Sequence, residues 1–168
     1  MKILIHGLPE SGKTTLAWRL KRALGPNAQW YNSDDIRTRA NDWDFSYEGR
    51  LRQTIRMKDY LDAAAPDEIV IVDYICPLNE FRDMFSPDVF KVFCDTVADC
   101  EFEDTNQMFE RPLNLHVDYI IWRWDDQSTD IMIEEIIKGA LSQQYDGMSM
   151  WERTTYWLKS HIELNWDI

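Results

Sequence analysis

The chain has 168 residues, of which 45% are hydrophobic, and it carries a formal net charge of -12. This length and composition suit one folded domain with a buried core and exclude wholesale disorder. The net charge argues against non-specific binding to duplex nucleic acid or to an anionic membrane, because the long-range field repels both. A small anionic ligand is not excluded, since it feels only the local field.

The cysteines and the apolar runs indicate where the protein resides. Cys76, Cys94 and Cys100 show no CxxC spacing and no neighbouring histidines, so neither a disulfide framework nor a zinc site is expected. The first residues, KILIHG, are too short an apolar stretch for a signal peptide. No apolar run approaches the roughly 20 residues that span a bilayer. We therefore expect a cytoplasmic protein without membrane contact, and a homodimer is one expectation for its assembly.

Short apolar runs alternate with segments of helical period along the chain. In chain order we predict a strand at 2–6, a helix at 14–24, a strand at 28–32, and a short helix capped by Ser33 or Asp34 that runs to Ala40. A helix at 46–65, a strand at 68–75, a short helix at 79–85, a strand at 89–95, helix and loop to 110, a strand at 118–124 and a helix at 128–141 follow. This alternation predicts an α/β fold with a five-stranded parallel sheet covered by helices on both faces.

Residues 6–15 read HGLPESGKTT and stand between the first predicted strand and the first predicted helix. Their spacing satisfies the phosphate-binding pattern G-x-x-x-x-G-K-[ST]. Glycines let backbone N–H groups point at a phosphate, and the helix N-terminus adds partial positive charge. We expect the loop to bind ATP, with Lys13 at the β- and γ-phosphates and Thr14 on Mg²⁺. The residues predicted to hold ATP are Gly7, Leu8, Pro9, Glu10, Ser11, Gly12, Lys13, Thr14 and Thr15.

Two polar residues beside this loop have less obvious roles. Glu10 is expected to face solvent or a neighbouring arginine, because triphosphate would repel its carboxylate. His6 is expected to pack at the end of the first strand and not to act as a catalytic base.

Asp73 ends the most apolar predicted strand, EIVIVD. The carboxyl ends of parallel strands are where open α/β sheets bind ligands. Asp73 is therefore predicted to hold Mg²⁺ together with Thr14, or to accept a proton. A cap on the turn that follows the strand is the alternative.

The segment from Ile36 to Lys58 has the opposite charge balance to the whole chain. It contains six basic residues against three acidic ones. Guanidinium groups suit the recognition of oxyanions, so this segment is predicted to hold the anionic end of a phosphate acceptor. A solvated helix face with ion pairs explains Arg52, Arg56 and Lys58 equally well, and Arg37 and Arg50 less well because both lie near turns.

Five stretches, GLPESGKTT, NSDDIR, NDWDFS-YEGR, YICPLNEFR and DTNQMFE, follow the order and rough spacing of motifs in adenylylsulfate kinases. The sequence resembles this family over about residues 1–141. The resemblance implies a three-layer P-loop kinase fold over 1–145. A Trp-rich C-terminal helical extension over 146–168 is expected to pack its aromatic side chains onto the domain or, less readily, onto a partner.

The resemblance also assigns acceptor-binding residues. Asp34 and Arg37 match the second Asp and the Arg of the family's D-G-D-N-x-R, which contact the acceptor and the reacting hydroxyl, whereas Asn32 replaces the first Asp. Phe45 matches the aromatic residue that stacks on the acceptor's adenine. The acceptor-binding residues implied in this way are Asp34, Arg37, Asn41, Phe45, Arg50, Ile75 and Cys76, with Cys76 in place of a serine.

The lid is where the chain departs from the family. The family's R-D-x-K-G-L-Y corresponds to residues 103–109 here, EDTNQMF, and both cations are missing. Arg111 is the nearby cation expected to approach the γ-phosphate. Lys13, Asp34 and Arg111 are therefore the expected catalytic residues.

The resemblance implies transfer of the ATP γ-phosphate to the 3'-hydroxyl of adenylyl sulfate, a small anionic acceptor. Two alternatives remain open. Trp43 with Phe45 would suit a kinase for a hydroxymethylpyrimidine nucleotide, or for hydroxymethyluracil in DNA. The altered lid and the Trp-rich tail would suit a catalytically weak nucleotide-binding module.

Overall fold

The computed structural model describes residues 1–124 and 129–144. The predicted extension over 146–168 lies outside the described residues. The strands are β1 (Lys2–His6), β2 (Ala28–Asn32), β3 (Ile69–Tyr74), β4 (Phe90–Cys94) and β5 (Tyr119–Ile121). The helices are α1 (Lys13–Leu24), α2 (Ser33–Ala40), α3 (Tyr47–Asp62), α4 (Asn79–Arg82), α5 (Glu103–Met108) and α6 (Thr129–Gln144), with a 3-10 turn at Asn114–His116. No helix within these ranges is long and apolar enough to cross a membrane.

The strands form one five-stranded sheet in the order β2-β3-β1-β4-β5, and every neighbouring pair is parallel. The predicted α/β architecture is confirmed. All six residues of β3 are buried, which explains why that strand is apolar on both faces. The parallel register pairs Asn32 at the end of β2 with Asp73 near the end of β3, so polar side chains meet at the carboxyl edge of the sheet.

Alternate residues of β1 enter two different cores. Ile3 and Ile5 pack on one face with residues of α1 and α6, among them Leu16 and Ile136. Leu4 packs on the other face with residues of α2, α3 and α4. This period of two places a helical layer on each side of the sheet.

Two of the element boundaries that differ from the sequence-based expectation have a side-chain explanation. Asn32, not Ser33 or Asp34, caps α2, because its side-chain oxygen accepts from the backbone N–H groups of Asp34 and Asp35. β5 ends at Ile121 and not at residue 124, since the Trp124 indole turns onto the phosphate loop and donates to the Ser11 carbonyl at 3.0 Å. In both cases a side-chain contact decides the boundary.

Candidate active site

The phosphate loop connects β1 to α1 through backbone angles that only some residues tolerate. Gly7 has φ of +143°, and a Cβ there would lie 2.5 Å from the Cys94 carbonyl oxygen. Gly12 has φ of +90° and is pressed against the Trp124 ring, so a side chain would clash there too. Both glycines of the motif are thus required by the loop's shape. Glu10 is exposed with φ of +64°, in agreement with the expectation that it faces solvent.

Lys13 lies inside the loop. Its side chain is 8% exposed and its Nζ donates to the Leu8 carbonyl at 2.5 Å. Burial lowers the pKa of this ammonium, while the nearby carboxylates of Asp73 and Asp34 oppose that effect. The buried Ser11 hydroxyl has no hydrogen-bond partner within the described part of the chain. A cation and a free hydroxyl are therefore available at the loop, a donor set that suits phosphate oxygens.

Asp73 is held at the floor of the site by three donors. The Thr14 hydroxyl donates to its Oδ2 at 3.0 Å, the Trp30 indole to its Oδ1 at 2.6 Å, and the Asn32 amide to both oxygens at 3.1 and 3.2 Å. Burial raises the pKa of Asp73 and these hydrogen bonds oppose the rise. Thr14 and Asp73 offer adjacent hydroxyl and carboxylate oxygens, which are the hard ligands that Mg²⁺ prefers. The donor set therefore fits this ion.

Arg37 lies on α2 and faces the loop that joins α2 to α3. It is 4% exposed, and its Nη1 donates to the backbone carbonyls of Asp42 at 2.9 Å and Asp44 at 3.1 Å. Its guanidinium carbon lies 4.8 Å from the centre of the Phe45 ring. Burial lowers the pKa of Arg37, which has no side-chain carboxylate among its hydrogen-bond partners. A buried cation held mainly by carbonyls is a suitable binding group for an anion.

Arg50 approaches the same ring from α3. It is also 4% exposed, and its guanidinium carbon is 5.6 Å from the Phe45 ring centre. Nε donates to the Phe45 carbonyl at 2.8 Å, and Nη2 donates to Asp104 Oδ2 at 2.9 Å and to the Thr105 hydroxyl at 2.8 Å. Arg50 thus ties α5, the segment that corresponds to the family's lid, to the acceptor side of the site.

Three of the other four basic residues of the 36–58 segment form ion pairs, and the fourth, Arg39, is exposed. Arg52 binds Asp42 and Asp44, Arg56 binds Asp42, and Lys58 binds Asp62 four residues along α3. These ion pairs fix the loop before α3. Arg37 and Arg50 differ from these three residues in burial, because each is 4% exposed.

A cavity of about 400 Å³ joins the phosphate loop to this cationic and aromatic wall. Ten of the predicted site residues line it: Pro9, Glu10, Lys13, Thr14, Asp34, Arg37, Phe45, Arg50, Asp73 and Ile75. Gly7, Leu8, Ser11, Gly12 and Thr15 form the loop and the first turn of α1 beside the cavity. Nine further lining residues were not among the predicted site residues: Asn32, Ser33, Trp43, Gln53, Tyr74, Pro77, Phe102, Asp104 and Thr105. Asp104 and Thr105 bind Arg50, which lies more than 50 residues away, so no local pattern indicates these two residues.

Three predicted residues lie outside both the cavity lining and the phosphate loop. Asn41 is exposed and ends α2 in a left-handed conformation. Cys76 is fully buried, and its sulfur accepts a hydrogen bond from the Tyr74 hydroxyl at 2.8 Å. Burial raises the pKa of the Cys76 thiol to about 12. Arg111 forms an ion pair with Asp95 and lies near the Phe93 and Trp122 rings. The acceptor or catalytic roles of these three residues stay predictions.

His6 packs as the sequence predicted. It is fully buried, stacks on Phe93 with ring centres 5.3 Å apart, and pairs with the His116 carbonyl. Burial, reinforced by the nearby Arg82 cation, lowers the pKa of His6 well below its ordinary value. A neutral, buried imidazole at the strand end has a packing role.

Comparison with known structures identifies related folds. The chain is 25% identical to the APS kinase CysC of Mycobacterium tuberculosis, solved in complex with AMPPNP and APS, with a TM-score of 0.67 over 82% of this chain and 96% of that one. Shikimate kinase from Aquifex aeolicus shares the fold at 16% identity, with a TM-score of 0.56 over 88% and 100% of the two chains. A gluconokinase from Sinorhizobium meliloti shares it at 15% identity, with a TM-score of 0.55 over 95% and 97%.

Direct comparison with curated protein sequences finds no match. The sequence model of the family described as adenylylsulphate kinase matches residues 1–118. This match spans the phosphate loop, the acceptor-side arginines and the first four strands of the sheet. The chain therefore belongs to the adenylylsulphate kinase family.

Proposed function

We propose that this protein transfers the γ-phosphate of ATP to a hydroxyl of a small anionic nucleotide, with the 3'-hydroxyl of adenylyl sulfate as the leading acceptor. The observation that carries this proposal is the single cavity that holds Lys13 and Thr14 at one end and Arg37, Arg50 and Phe45 at the other. Family membership supports a nucleotide-dependent kinase. The acceptor is inferred from the chemistry of the second end.

The donor end binds the triphosphate. Amides of the phosphate loop and the Lys13 ammonium hold the β- and γ-phosphates, and Thr14 with Asp73 would hold Mg²⁺. When bound, the metal supplies charge neutralisation at the phosphate oxygens. The chain's own contribution is positioning, because Trp30 and Asn32 fix the Asp73 carboxylate before any ligand enters.

The acceptor end suits a flat ring that carries a strong anion. Phe45 offers an exposed aromatic face, and the Arg37 and Arg50 guanidinium groups flank it. Within the described residues, three groups of these arginines donate no hydrogen bond: Arg50 Nη1, Arg37 Nε and Arg37 Nη2. They can therefore donate to a phosphate or sulfate. Asp34, exposed at the start of α2, would orient the acceptor hydroxyl and take its proton.

A hydroxymethylpyrimidine nucleotide is the second candidate acceptor. Trp43 lines the cavity beside Phe45, is 50% exposed, and its ring centre lies 6.3 Å from that of Phe45. Two neighbouring aromatic rings can stack on a pyrimidine as well as on a purine. Trp43 gives no preference between the two bases.

The test is a panel of acceptors incubated with the protein, ATP and Mg²⁺, with products identified by mass spectrometry. The panel contains adenylyl sulfate, hydroxymethylpyrimidine nucleotides, and shikimate and gluconate as acceptors of the distant structural relatives. We expect a phosphorylated product from adenylyl sulfate and none with Lys13→Ala. Phosphorylation of the pyrimidine nucleotides alone would favour the second candidate. Binding of ATP without any product from the panel would indicate a nucleotide-binding module.

Asp34 provides a sharper test of the proposed mechanism. Asp34→Ala is expected to bind ATP as the parent does and to lose about 10²-fold in kcat, the scale of lost acid–base catalysis. Asp35→Ala is the matched control, because Asp35 is the next residue of α2 and is exposed outside the cavity. Equal kcat values for the two variants would remove Asp34 from the mechanism.

A further inference from the structure

Asn32 is the residue at which the two ends of the cavity meet. It is the last residue of β2, stands opposite Asp73 in the sheet register, and caps α2. The family pattern has an aspartate at this position, so the amide is a feature of this chain. Neither the phosphate-loop motif nor the acceptor residues give it a role.

Each end of the Asn32 amide has a different partner. Nδ2 donates to both oxygens of Asp73, at 3.1 and 3.2 Å. Oδ1 accepts from the backbone N–H groups of Asp34 at 2.9 Å and Asp35 at 3.3 Å. One planar group therefore joins the carboxylate expected at the metal to the first turn of the helix that carries Asp34 and Arg37.

Only an amide can make both contacts. A carboxylate would still cap α2, since aspartate is a good N-cap, but it has no proton to donate to Asp73. It would instead place a second negative charge about 3 Å from the Asp73 oxygens, where two carboxylates repel each other strongly. A serine would keep the cap and be too short to reach Asp73.

We propose that Asn32 is a positioning residue that fixes the distance between the metal-side carboxylate, Asp73, and the acceptor-side helix α2. It acts through these two groups and touches neither of the reacting oxygens. This inference rests on the proposed function, because alignment of donor and acceptor matters only if a phosphoryl group passes between them. The part that concerns Asp73 alone is testable without an acceptor.

The experiment compares Asn32→Ser and Asn32→Asp with Asn27→Asp. Asn27 is exposed in the turn before β2, at the opposite end of the same strand, so it supplies the same charge change away from the site. For each protein we would measure the thermal midpoint, the kcat and KM for the acceptor, and the affinity for ADP with and without Mg²⁺. Asn32→Ser keeps the inference testable if the added charge prevents Asn32→Asp from folding.

We expect Asn32→Ser to lower kcat about tenfold, the lower end of the effect of losing an outer-shell partner, and to leave the acceptor KM close to that of the parent. The gain in ADP affinity on adding Mg²⁺ should also fall about tenfold, because Asp73 is no longer held. Asn32→Asp should lose more kcat, about 100-fold, because repulsion displaces the Asp73 carboxylate. Asn27→Asp should match the parent in every measurement.

Two results would overturn the inference. The first result is that both Asn32 variants have the same kcat and the same ADP affinity as Asn27→Asp. The second is that the Asn32 variants raise the acceptor KM and leave kcat unchanged. If no acceptor is phosphorylated even by the parent, the proposed function has failed. If Mg²⁺ then increases the ADP affinity of Asn32→Ser less than that of the parent, the result would still support the role of Asn32 in positioning Asp73. An equal increase in ADP affinity would reject that role.

Discussion

Two arginines on the same helix differ in environment in a way that makes the acceptor end of the site testable. Arg37 is 4% exposed and lies over Phe45, whereas Arg39, two residues later on α2, is exposed. Burying a cationic side chain without a carboxylate partner costs folding free energy unless the cation binds a ligand or a backbone carbonyl. Backbone carbonyls occupy only Nη1 of Arg37, so we expect Arg37 and not Arg39 to recognise the acceptor with its other N–H groups.

Arg37→Ala is expected to raise the acceptor KM by about ten- to 100-fold, the worth of a charge-assisted hydrogen bond, and to leave ADP affinity unchanged. Arg39→Ala is the matched control and should leave the acceptor KM unaltered. Steady-state kinetics with each substrate varied in turn would measure both constants. A defect of Arg37→Ala confined to ATP would contradict the assignment of the acceptor end.

Among the individual site residues, the sequence predicted those that belong to a local pattern. The phosphate-loop pattern indicated Lys13 and Thr14, and the end of an apolar strand indicated Asp73, all of which meet in the cavity. Asp104 and Thr105 were not predicted as site residues, because their partner Arg50 lies more than 50 residues away. Cys76 was expected at the acceptor from its motif position, and it is fully buried outside the cavity lining.

Among the secondary-structure elements, α5 differs most from what the family pattern would place there. Its six residues include no cation, and its Asp104 forms an ion pair with Arg50. Asp104 is 64% exposed and Arg50 is 4% exposed, so the carboxylate lies on the solvent side of the guanidinium. Asp104 therefore neutralises part of the Arg50 positive charge that would attract an anionic acceptor.

Asp104→Asn is expected to lower the acceptor KM by about two- to fivefold, because the neutralising charge is removed and such half-exposed pairs are weak. Asp99→Asn removes the same charge from an exposed position on the loop before α5 and serves as the control. The measurement is acceptor KM at low and high salt, and the gain should shrink as salt screens the pocket. A higher KM for Asp104→Asn would show that the ion pair organises the pocket.

Element types followed from hydrophobic periodicity, and element ends did not. Each predicted strand is present, since buried parallel strands are apolar throughout. The end of β5 depends on the contact of Trp124 with the distant Ser11, and the cap of α2 depends on a side-chain contact of Asn32 with Asp34 and Asp35. Periodicity encodes neither contact. α3 ends at Asp62 and not at Ala65, and Ala63 closes it with a hydrogen bond to the Asp59 carbonyl.

For the whole molecule, the buried His6 links stability to pH. Its pKa in the folded protein lies well below its ordinary value of 6.5, because burial opposes the charged form. The unfolded chain therefore binds a proton that the folded protein does not, and stability falls as pH drops below that value. Burial raises the pKa of Asp73 above its ordinary value of 3.8. The Asp73 contribution to stability therefore falls as pH rises above 3.8, which is the opposite direction to that of His6.

We expect the free energy of unfolding to fall between about pH 7 and about pH 5 by up to about 1.4 kcal/mol per pH unit from His6. Denaturant unfolding of the parent and of His6→Gln at each pH would measure this. The Gln variant should lack the contribution, and the difference between the two slopes isolates His6 from Asp73. Equal slopes would show that the folded protein accommodates a charged imidazole at this position.

The contact between Trp124 and the phosphate loop gives the protein an intrinsic optical signal. The indole lies against Gly12 and donates to the Ser11 carbonyl, and the Trp30 indole donates to Asp73 on the opposite side of the loop. Both fluorophores would sense charge entering between them, so ADP titration should change the emission intensity or wavelength without any attached dye. Trp124→Phe and Trp30→Phe would show which indole reports the binding event.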